Sequence, residues 1–337
     1  MMKAVFLGCG GRAKGHATAY QHVTKGKLAA ICDMQEERLH PFGEEFGIDA
    51  RYTDMREMLE KERPDLLHIV TPPTIRHSLM SIAAEYEVPA VIVEKPIAIQ
   101  AEDSRDIRSL LESNTKFIVN TQLNFHPRNL QLKKAVSDGR IGDLRFIDAS
   151  ARNSPVNQGP HVLQLVSSYI DNSRPARVFG QVAGANSLNS REPSPDHATA
   201  SVYYANGVRA LVTFGHDSAP PISEREHNHR HKRIAVYGTR GFIQWTMDWW
   251  ELSTPEGFER GDHEYGDQDV LGQAGLTDAA FEWIEDGEKV HPTHLAQSLA
   301  EFDLLLGIYV SSMTHQPVEL PFDPPERIIE DLGKVLV

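Results

Sequence analysis

From its first residues to about residue 120 the chain alternates short apolar runs with amphipathic stretches, and this alternation limits the possible folds most. Candidate strands fall at residues 3–8, 27–33, 66–71, 90–94 and 116–121, with helical patterns at 13–23, 35–46, 75–86 and 103–112 between them. A run such as Ala90-Val91-Ile92-Val93 has no polar face, as a strand covered on both sides of a parallel sheet requires. Strand–helix alternation implies right-handed βαβ units in a doubly wound α/β sheet.

After about residue 122 the pattern changes. Helical stretches at 129–137 and 161–170 are followed by strands at 198–204 and 208–214, joined through Ala205-Asn206-Gly207. Further strands at 234–237 and 242–245 flank Gly238-Thr239-Arg240-Gly241. A late helix over 294–313 repeats Leu295, Leu299, Phe302, Leu306 and Tyr309. Successive strands with few helices predict an α+β domain with a large, mostly antiparallel open sheet. The 337 residues suit two domains, placed here at 1–122 and 123–337.

Composition removes several function classes. Lys+Arg 34 against Asp+Glu 47 gives a net charge of -13, which repels nucleic-acid phosphates and anionic lipid alike. No apolar run approaches the roughly 20 residues of a membrane-spanning helix. The opening Met1-Met2-Lys3-Ala4-Val5-Phe6-Leu7 reads as a first strand and not as a signal peptide. Cys9 and Cys32 cannot build a disulfide framework, so a reducing, cytoplasmic setting is expected.

Gly8-Cys9-Gly10-Gly11-Arg12-Ala13 follows the first strand and opens the first helix, a G-x-G-x-x-A form of the dinucleotide fingerprint. Gly8 permits a tight turn, Gly10 lets a diphosphate approach the backbone, and Ala13 lets helix and strand pack closely. The free N–H groups of the helix start then face the phosphates. Asp33 ends the second strand, where a carboxylate accepts from ribose hydroxyls and repels a 2′-phosphate, which favours NAD over NADP. The same residue could instead serve the start of the helix at Gln35.

Further along, Arg12-Ala13-x-x-His16-Ala17-x-Ala19-Tyr20, Thr71-Pro72-Pro73 with His77, and Glu94-Lys95-Pro96 extend the pattern. With the glycine motif they resemble the Gfo/Idh/MocA oxidoreductase family. Gly139-Arg140-Ile141-Gly142-Asp143-Leu144 and Val318-Glu319-Leu320-Pro321 resemble its entry to the second sheet and its closing segment. The resemblance implies a Rossmann first domain whose NAD site involves Gly8, Cys9, Gly10, Gly11, Arg12, Ala13, Asp33, Thr71, Pro72, His77, Glu94, Lys95 and Gln122. It further implies hydride transfer to or from a sugar, inositol or related polyol, in a homodimer or homotetramer. The bond before Pro96 is often cis in the family.

Lys95 lies past the carboxyl end of a parallel strand, where open α/β sheets bind ligands, and Pro96 keeps it out of helical backbone. An ammonium there stabilises negative charge developing on a reacting oxygen; a solvated lysine in a turn is the simpler alternative. The family also has a helical D-x-x-x-H-x-x-D signature, matched here by Asn157, His161 and Gln164. His161 is retained as a candidate base, whereas both acids are replaced by amides. Asn157 can fix a tautomer but brings no charge. Either His161 remains the base, or Lys95 carries the proton chemistry, or redox turnover is poor; a merely structural helix histidine is the remaining possibility.

The run Glu226-His227-Asn228-His229-Arg230-His231 looks metal-like, but surrounding cations and the lack of a completing ligand argue against a metal. A cleft-lining loop or strand is expected there. Trp245, Trp249 and Trp250 are expected in a helix-packed core or at an oligomer interface. Gln122 resembles a nicotinamide-contacting position, while Asn124 stands where the family commonly has arginine. Two alternatives to a dehydrogenase remain at this stage: a glycosidase that oxidises its sugar transiently with NAD, and a catalytically quiet NAD-binding sensor or partner.

Overall fold

Strand β1 (Met2–Leu7) buries four successive side chains, Ala4 to Leu7, and anchors a parallel sheet. Its companions are β2 (Gly26–Cys32), β3 (Ala50–Tyr52), β4 (Leu66–Ile69), β5 (Ala90–Glu94) and β6 (Lys116–Asn120). Their order is β3-β2-β1-β4-β5-β6, with every pair parallel. That is the strand order of a dinucleotide-binding doubly wound sheet. Helices α1 (Gly11–Ala19), α2 (Glu36–Phe46), α3 (Met55–Glu62), α4 (Arg76–Glu85) and α5 (Ala101–Arg108) make the connections. The computed structural model describes residues 1–216, 218 and 231–336.

The second part begins with α6 (Pro127–Ser137), β7 (Leu144–Ala151), α7 (Pro155–Tyr169), β8 (Pro175–Ala183), β9 (His197–Tyr204) and β10 (Arg209–Phe214). It continues with β11 (Lys232–Gly238), β12 (Phe242–Thr246), β13 (Trp249–Thr254), β14 (Gly257–Asp262), α8 (Tyr265–Glu285), α9 (Leu295–Thr314), β15 (Val318–Glu319) and α10 (Ile328–Val335). Among the described residues its sheet runs β14-β13-β12-β11-β7-β10-β9-β8-β15, antiparallel except for β7 beside β10. Ile147, Ala149, Val212, Val236 and Ile243 fill one face, against which α7 packs. The other face carries a cross-strand row of Tyr203, Arg209, Phe146, Tyr237, Phe242, Ser253 and Phe258, set by the register. Tyr203 and Phe258 on that row are 47% and 55% exposed.

Contacts group the chain into two units. The first comprises Met1–Ala98, Asp103–His126 and Asp269–Ala296; the second comprises Ile99–Glu102, Pro127–Gln268 and Gln297–Val337. Beside the single division at 122/123 expected from the sequence, a late segment thus returns to the first unit. The reason is apolar cover: Ala274, Leu276, Ala280 and Phe281 close a core over Ala4, Leu66, Ala90, Ile92 and Ile118. Phe281 approaches so closely that a Cβ on Gly26 would sit 2.1 Å from its ring. Thr293 completes the attachment, its Oγ1 donating to the Val119 carbonyl at 2.7 Å and its carbonyl accepting from Val119 N at 2.9 Å.

Two helices differ from their sequence reading. Helix α7 starts at Pro155, not at residue 161, because Ser154-Pro155 forms its entry and Pro160 is tolerated inside it. Helix α8 was not foreseen; it carries Gly266, Gly272 and Gly275, which weaken a helical pattern read from sequence alone. No described helix is long and apolar enough to cross a membrane.

Candidate active site

The glycine turn is built around one position where only glycine fits. Gly8 has φ +99°, and a Cβ there would lie 2.4 Å from the Val70 carbonyl oxygen. At Gly10 and Gly11 a Cβ would meet nothing within 4 Å. Gly10 caps α1 without any side-chain hydrogen bond, so the helix start keeps its N–H groups for a ligand. Ala13 is fully buried against the core of Phe6, Ile31, Leu39 and Phe42. An open cavity of about 460 Å³ lies beside the turn, lined by Cys9, Gly10, Gly11, Lys14, Glu37, Arg38, Pro41 and Phe42.

Asp33 braces this turn. Its Oδ2 accepts from Cys9 N at 2.9 Å and its Oδ1 from Gln35 N at 2.9 Å, although Gln35 and not Asp33 is the α2 cap. Two carboxylate oxygens offer about four acceptor sites, so capacity remains for ribose hydroxyls. Burial pushes both the Cys9 and Cys32 thiols up to about 12, with Asp33 adding to the Cys9 shift; neither is a thiolate.

Beneath the carboxyl ends of β4, β5 and β6 lies a buried polar chain. Glu94 accepts at one oxygen from His16 Nε2 at 2.7 Å, Asn120 Nδ2 at 2.8 Å and Arg12 Nε at 2.9 Å. Burial alone would raise the Glu94 carboxyl; the Arg12 guanidinium, with His16, outweighs it and holds the group well below the carboxylate range. Burial lowers both His16 and His68, so both imidazoles are neutral. Donor–acceptor matching then fixes the direction. Tyr20 O–H donates to His68 Nε2 (2.8 Å), His68 Nδ1–H to His16 Nδ1 (3.2 Å), and His16 Nε2–H to the carboxylate.

Lys95 follows Glu94, and its bond to Pro96 is cis, as is Leu320-Pro321. Arg76, which the sequence reading passed over, is 1% exposed and donates to the Pro96 carbonyl and, at 2.9 Å, to the Thr71 carbonyl. It thereby ties the Thr71-Pro72 loop to the segment after Lys95. His77 is half-buried and its Nε2 lies 3.3 Å from Ser81 Oγ on its own helix. Gln122 Nε2 donates to Asp269 Oδ1 at 2.7 Å. Burial favours a neutral Asp269, but His126, Arg12 and Gln122 outweigh it and lower its pKa. Gln122 Oε1 and Thr71 Oγ1 are buried and have no partner among the described residues. Such orphaned atoms are costly to bury, about 1–3 kcal/mol each, unless a ligand meets them. Asp269 and Gln273, whose Nε2 donates to Asn120 Oδ1 at 2.9 Å, were invisible to local motifs because α8 supplies them from far along the chain.

In the second unit, α7 carries Asn157, His161 and Gln164 on one face by their i, i+4, i+7 spacing. His161 is 6% exposed and Gln164 fully buried. Both amide atoms of Gln164 lack a partner among the described residues. Asn157 Oδ1 accepts from Gln158 Nε2 at 2.7 Å, and its Nδ2 donates to Glu192 Oε2 at 2.5 Å. Trp245 is wholly buried on the covered sheet face, and Trp250 lies under the Arg128 guanidinium, 4.2 Å from its ring centroid. Of the histidine-rich run, residues 226–230 lie outside the described residues and His231 is buried. No group of three or more His, Cys, Asp or Glu suited to a metal occurs among the described residues.

With this geometry in place, relatives become informative. Residues 2–121 match the model of the GFO_IDH_MocA oxidoreductase family, NAD-binding Rossmann fold. A D-apiose dehydrogenase from Paraburkholderia graminis is 28% identical over 223 residues, 62% of this chain and 59% of that protein. A myo-inositol 2-dehydrogenase from Thermotoga maritima is 27% identical over 153 residues, 45% of this chain and 46% of that protein. The chain thus spans about three fifths of the first relative's length and under half of the second's. In fold it is similar to an oxidoreductase from Agrobacterium radiobacter solved with NAD+, L-tartaric acid and magnesium. That likeness has a TM-score of 0.79 at 20% identity and covers 99% of both chains. Over residues 2–121 the chain is thus similar to the Gfo/Idh/MocA oxidoreductases and their NAD-binding Rossmann fold.

Proposed function

We propose that the protein is an NAD-dependent dehydrogenase or reductase acting on a CH–OH carbon of a sugar, inositol or related polyol. The observation that carries this reading is the uncapped α1 start at the glycine turn, with open space over Gly10 and Gly11 and Asp33 beside it. The α1 N–H groups would hold the diphosphate, and Asp33 would take the adenosine ribose hydroxyls. Gln122 Oε1 and Thr71 Oγ1 are unmet buried acceptors suited to a carboxamide N–H.

NAD supplies a two-electron hydride acceptor when bound. In the oxidising direction Lys95 Nζ, as an ammonium, stabilises the negative charge developing on the substrate oxygen. His161 takes the hydroxyl proton at a ring nitrogen, and gives it back in the reducing direction. The unmet Gln164 amide offers a donor and an acceptor to a further hydroxyl, which suits a polyol. The exposed aromatic row on the second sheet fits a homo-oligomer contact, dimer or tetramer. Two unpaired cysteines suit the cytoplasm.

The test is a panel of apiose, inositols and aldoses with NAD, read as NADH absorbance, with Lys95→Ala and His161→Ala as controls. Turnover of at least one substrate that both variants lose is expected. Intact NAD binding with silence across the panel, or turnover indifferent to both substitutions, sinks the assignment.

A further inference from the structure

An amide side chain has two ends that are nearly equal in shape and opposite in hydrogen-bonding sense, so whatever fixes one end decides what the other can meet. Gln122 is such a group. It stands just past β6, in the short helical turn Gln122–Phe125, and is 2% exposed. Its Nε2 donates to Asp269 Oδ1 at 2.7 Å, whereas its Oε1 is buried with no partner among the described residues.

This orientation is not interchangeable with its reverse, because a carboxylate only accepts. Turning the amide over would set Oε1 against Asp269 Oδ1, acceptor against acceptor. Burial favours a neutral Asp269, but His126, Arg12 and Gln122 outweigh it and keep the group ionised. His126 Nε2 lies 3.3 Å from Oδ1, and Arg12 Nη1 lies 3.8 Å from Oδ2. Helix α8 holds Asp269 close to the turn that carries Gln122. About one helical turn on, a Cβ on Gly272 would lie 2.5 Å from His126 Cδ2 and 3.1 Å from the Gln122 carbonyl oxygen, so a larger residue would push the helix off. All these residues belong to the first unit.

We infer that Asp269 is a positioning residue: by taking the NH2 end of Gln122 it leaves the amide oxygen as the end presented to a ligand, and so selects a pyridine ring whose substituent carries an N–H donor. This rests on the reading of the first unit as an NAD site with Gln122 beside the nicotinamide. The carboxamide of nicotinamide has such a donor. An acetyl group of similar size has none, and would set its carbonyl or its methyl against Gln122 Oε1. Leaving that buried oxygen unmet costs the acetyl compound affinity. Asp269 acts through Gln122, and no bond or proton changes hands at it.

Calorimetry on the full-length protein with NAD, its acetylpyridine analogue and ADP-ribose tests this. The wild-type protein should bind NAD roughly tenfold more tightly than the acetyl analogue, the worth of one buried hydrogen bond. In Asp269→Ala the Gln122 amide can turn over, and in Gln122→Leu the acceptor is gone. Each should bring the preference to within about twofold, with no further loss in the double variant. ADP-ribose, which lacks the pyridine ring, should bind all of them alike, and thermal midpoints verify folding. Asp269→Leu removes the same acceptor while keeping bulk beside α8, and serves in place of Asp269→Ala should that variant not fold. An acetyl analogue bound as tightly as NAD by the wild-type protein, or a folded Asp269 variant that retains the full preference, overturns the inference. Failure of both NAD and ADP-ribose to bind the folded wild-type protein overturns the NAD reading itself, and the inference with it.

Discussion

The carboxyl-end network of the first unit and the inner face of α7 handle buried polarity in opposite ways. Glu94, His16, His68, Asn120 and Tyr20 all find protein partners within the network. On α7, Gln164 is buried as deeply and has no partner among the described residues. A saturated network maintains a shape, whereas an unmet amide keeps capacity for something that arrives. Saturation should therefore appear in unfolding, and vacancy in binding.

The largest effect should come from cutting the network. Glu94→Ala leaves Arg12, His16 and Asn120 without their shared acceptor, and removing one partner of a buried pair costs about 3–5 kcal/mol. Denaturant unfolding measures this, and a loss within error would show that the network is not structural. The sign with pH follows from the depressed folded pKa of Glu94. Its contribution is complete above the ordinary value of 4.5 and is lost as pH falls through the folded value. Glu94→Gln should flatten that acid limb.

Next comes Asp33. Asp33→Ala should weaken NAD by about tenfold or more, or about 1.4 kcal/mol. NADP should lose far less, since the carboxylate that repels its 2′-phosphate goes too. Calorimetry with both dinucleotides separates ribose recognition from simple damage to the turn at Cys9, which would weaken both equally. Gln164→Leu should do the reverse of Glu94→Ala. Removing an unmet amide should raise stability by about 1 kcal/mol while raising the substrate KM. A destabilised variant with unchanged KM would place Gln164 among the saturated groups. The smallest effect on folding should come from Tyr237→Lys on the open sheet face. Stability should change by about 0.5 kcal/mol or less, yet sedimentation should show smaller assemblies if that face joins subunits.

Legibility from sequence followed the same division. Strands β1, β2, β4, β5 and β6 were readable because continuous apolar runs leave little choice, and the glycine motif named its turn. Strand β3 was missed, since Ala50-Arg51-Tyr52 is only three half-buried residues at the sheet edge. Asp269 and Gln273 could not be foreseen, because α8 joins the first unit through packing on Ala4 and Ile92 and not through any local signal. Ser154-Pro155 did announce the start of α7, but Pro160 masked it. Glu192 stands 35 positions from Asn157, and no spacing rule connects a turn residue to a helix face at that separation.

The run of hydrogens from Tyr20 to Glu94 has one consequence for traffic through the protein. Each imidazole there gives at one nitrogen and receives at the other, so all the arrows aim at one Glu94 oxygen that already takes three donors. Neither histidine along that line keeps an unfilled ring nitrogen for a proton leaving a substrate. The conspicuous acid preceding Lys95 is thus a terminus rather than a gateway, and exchange with the outside must follow some other route.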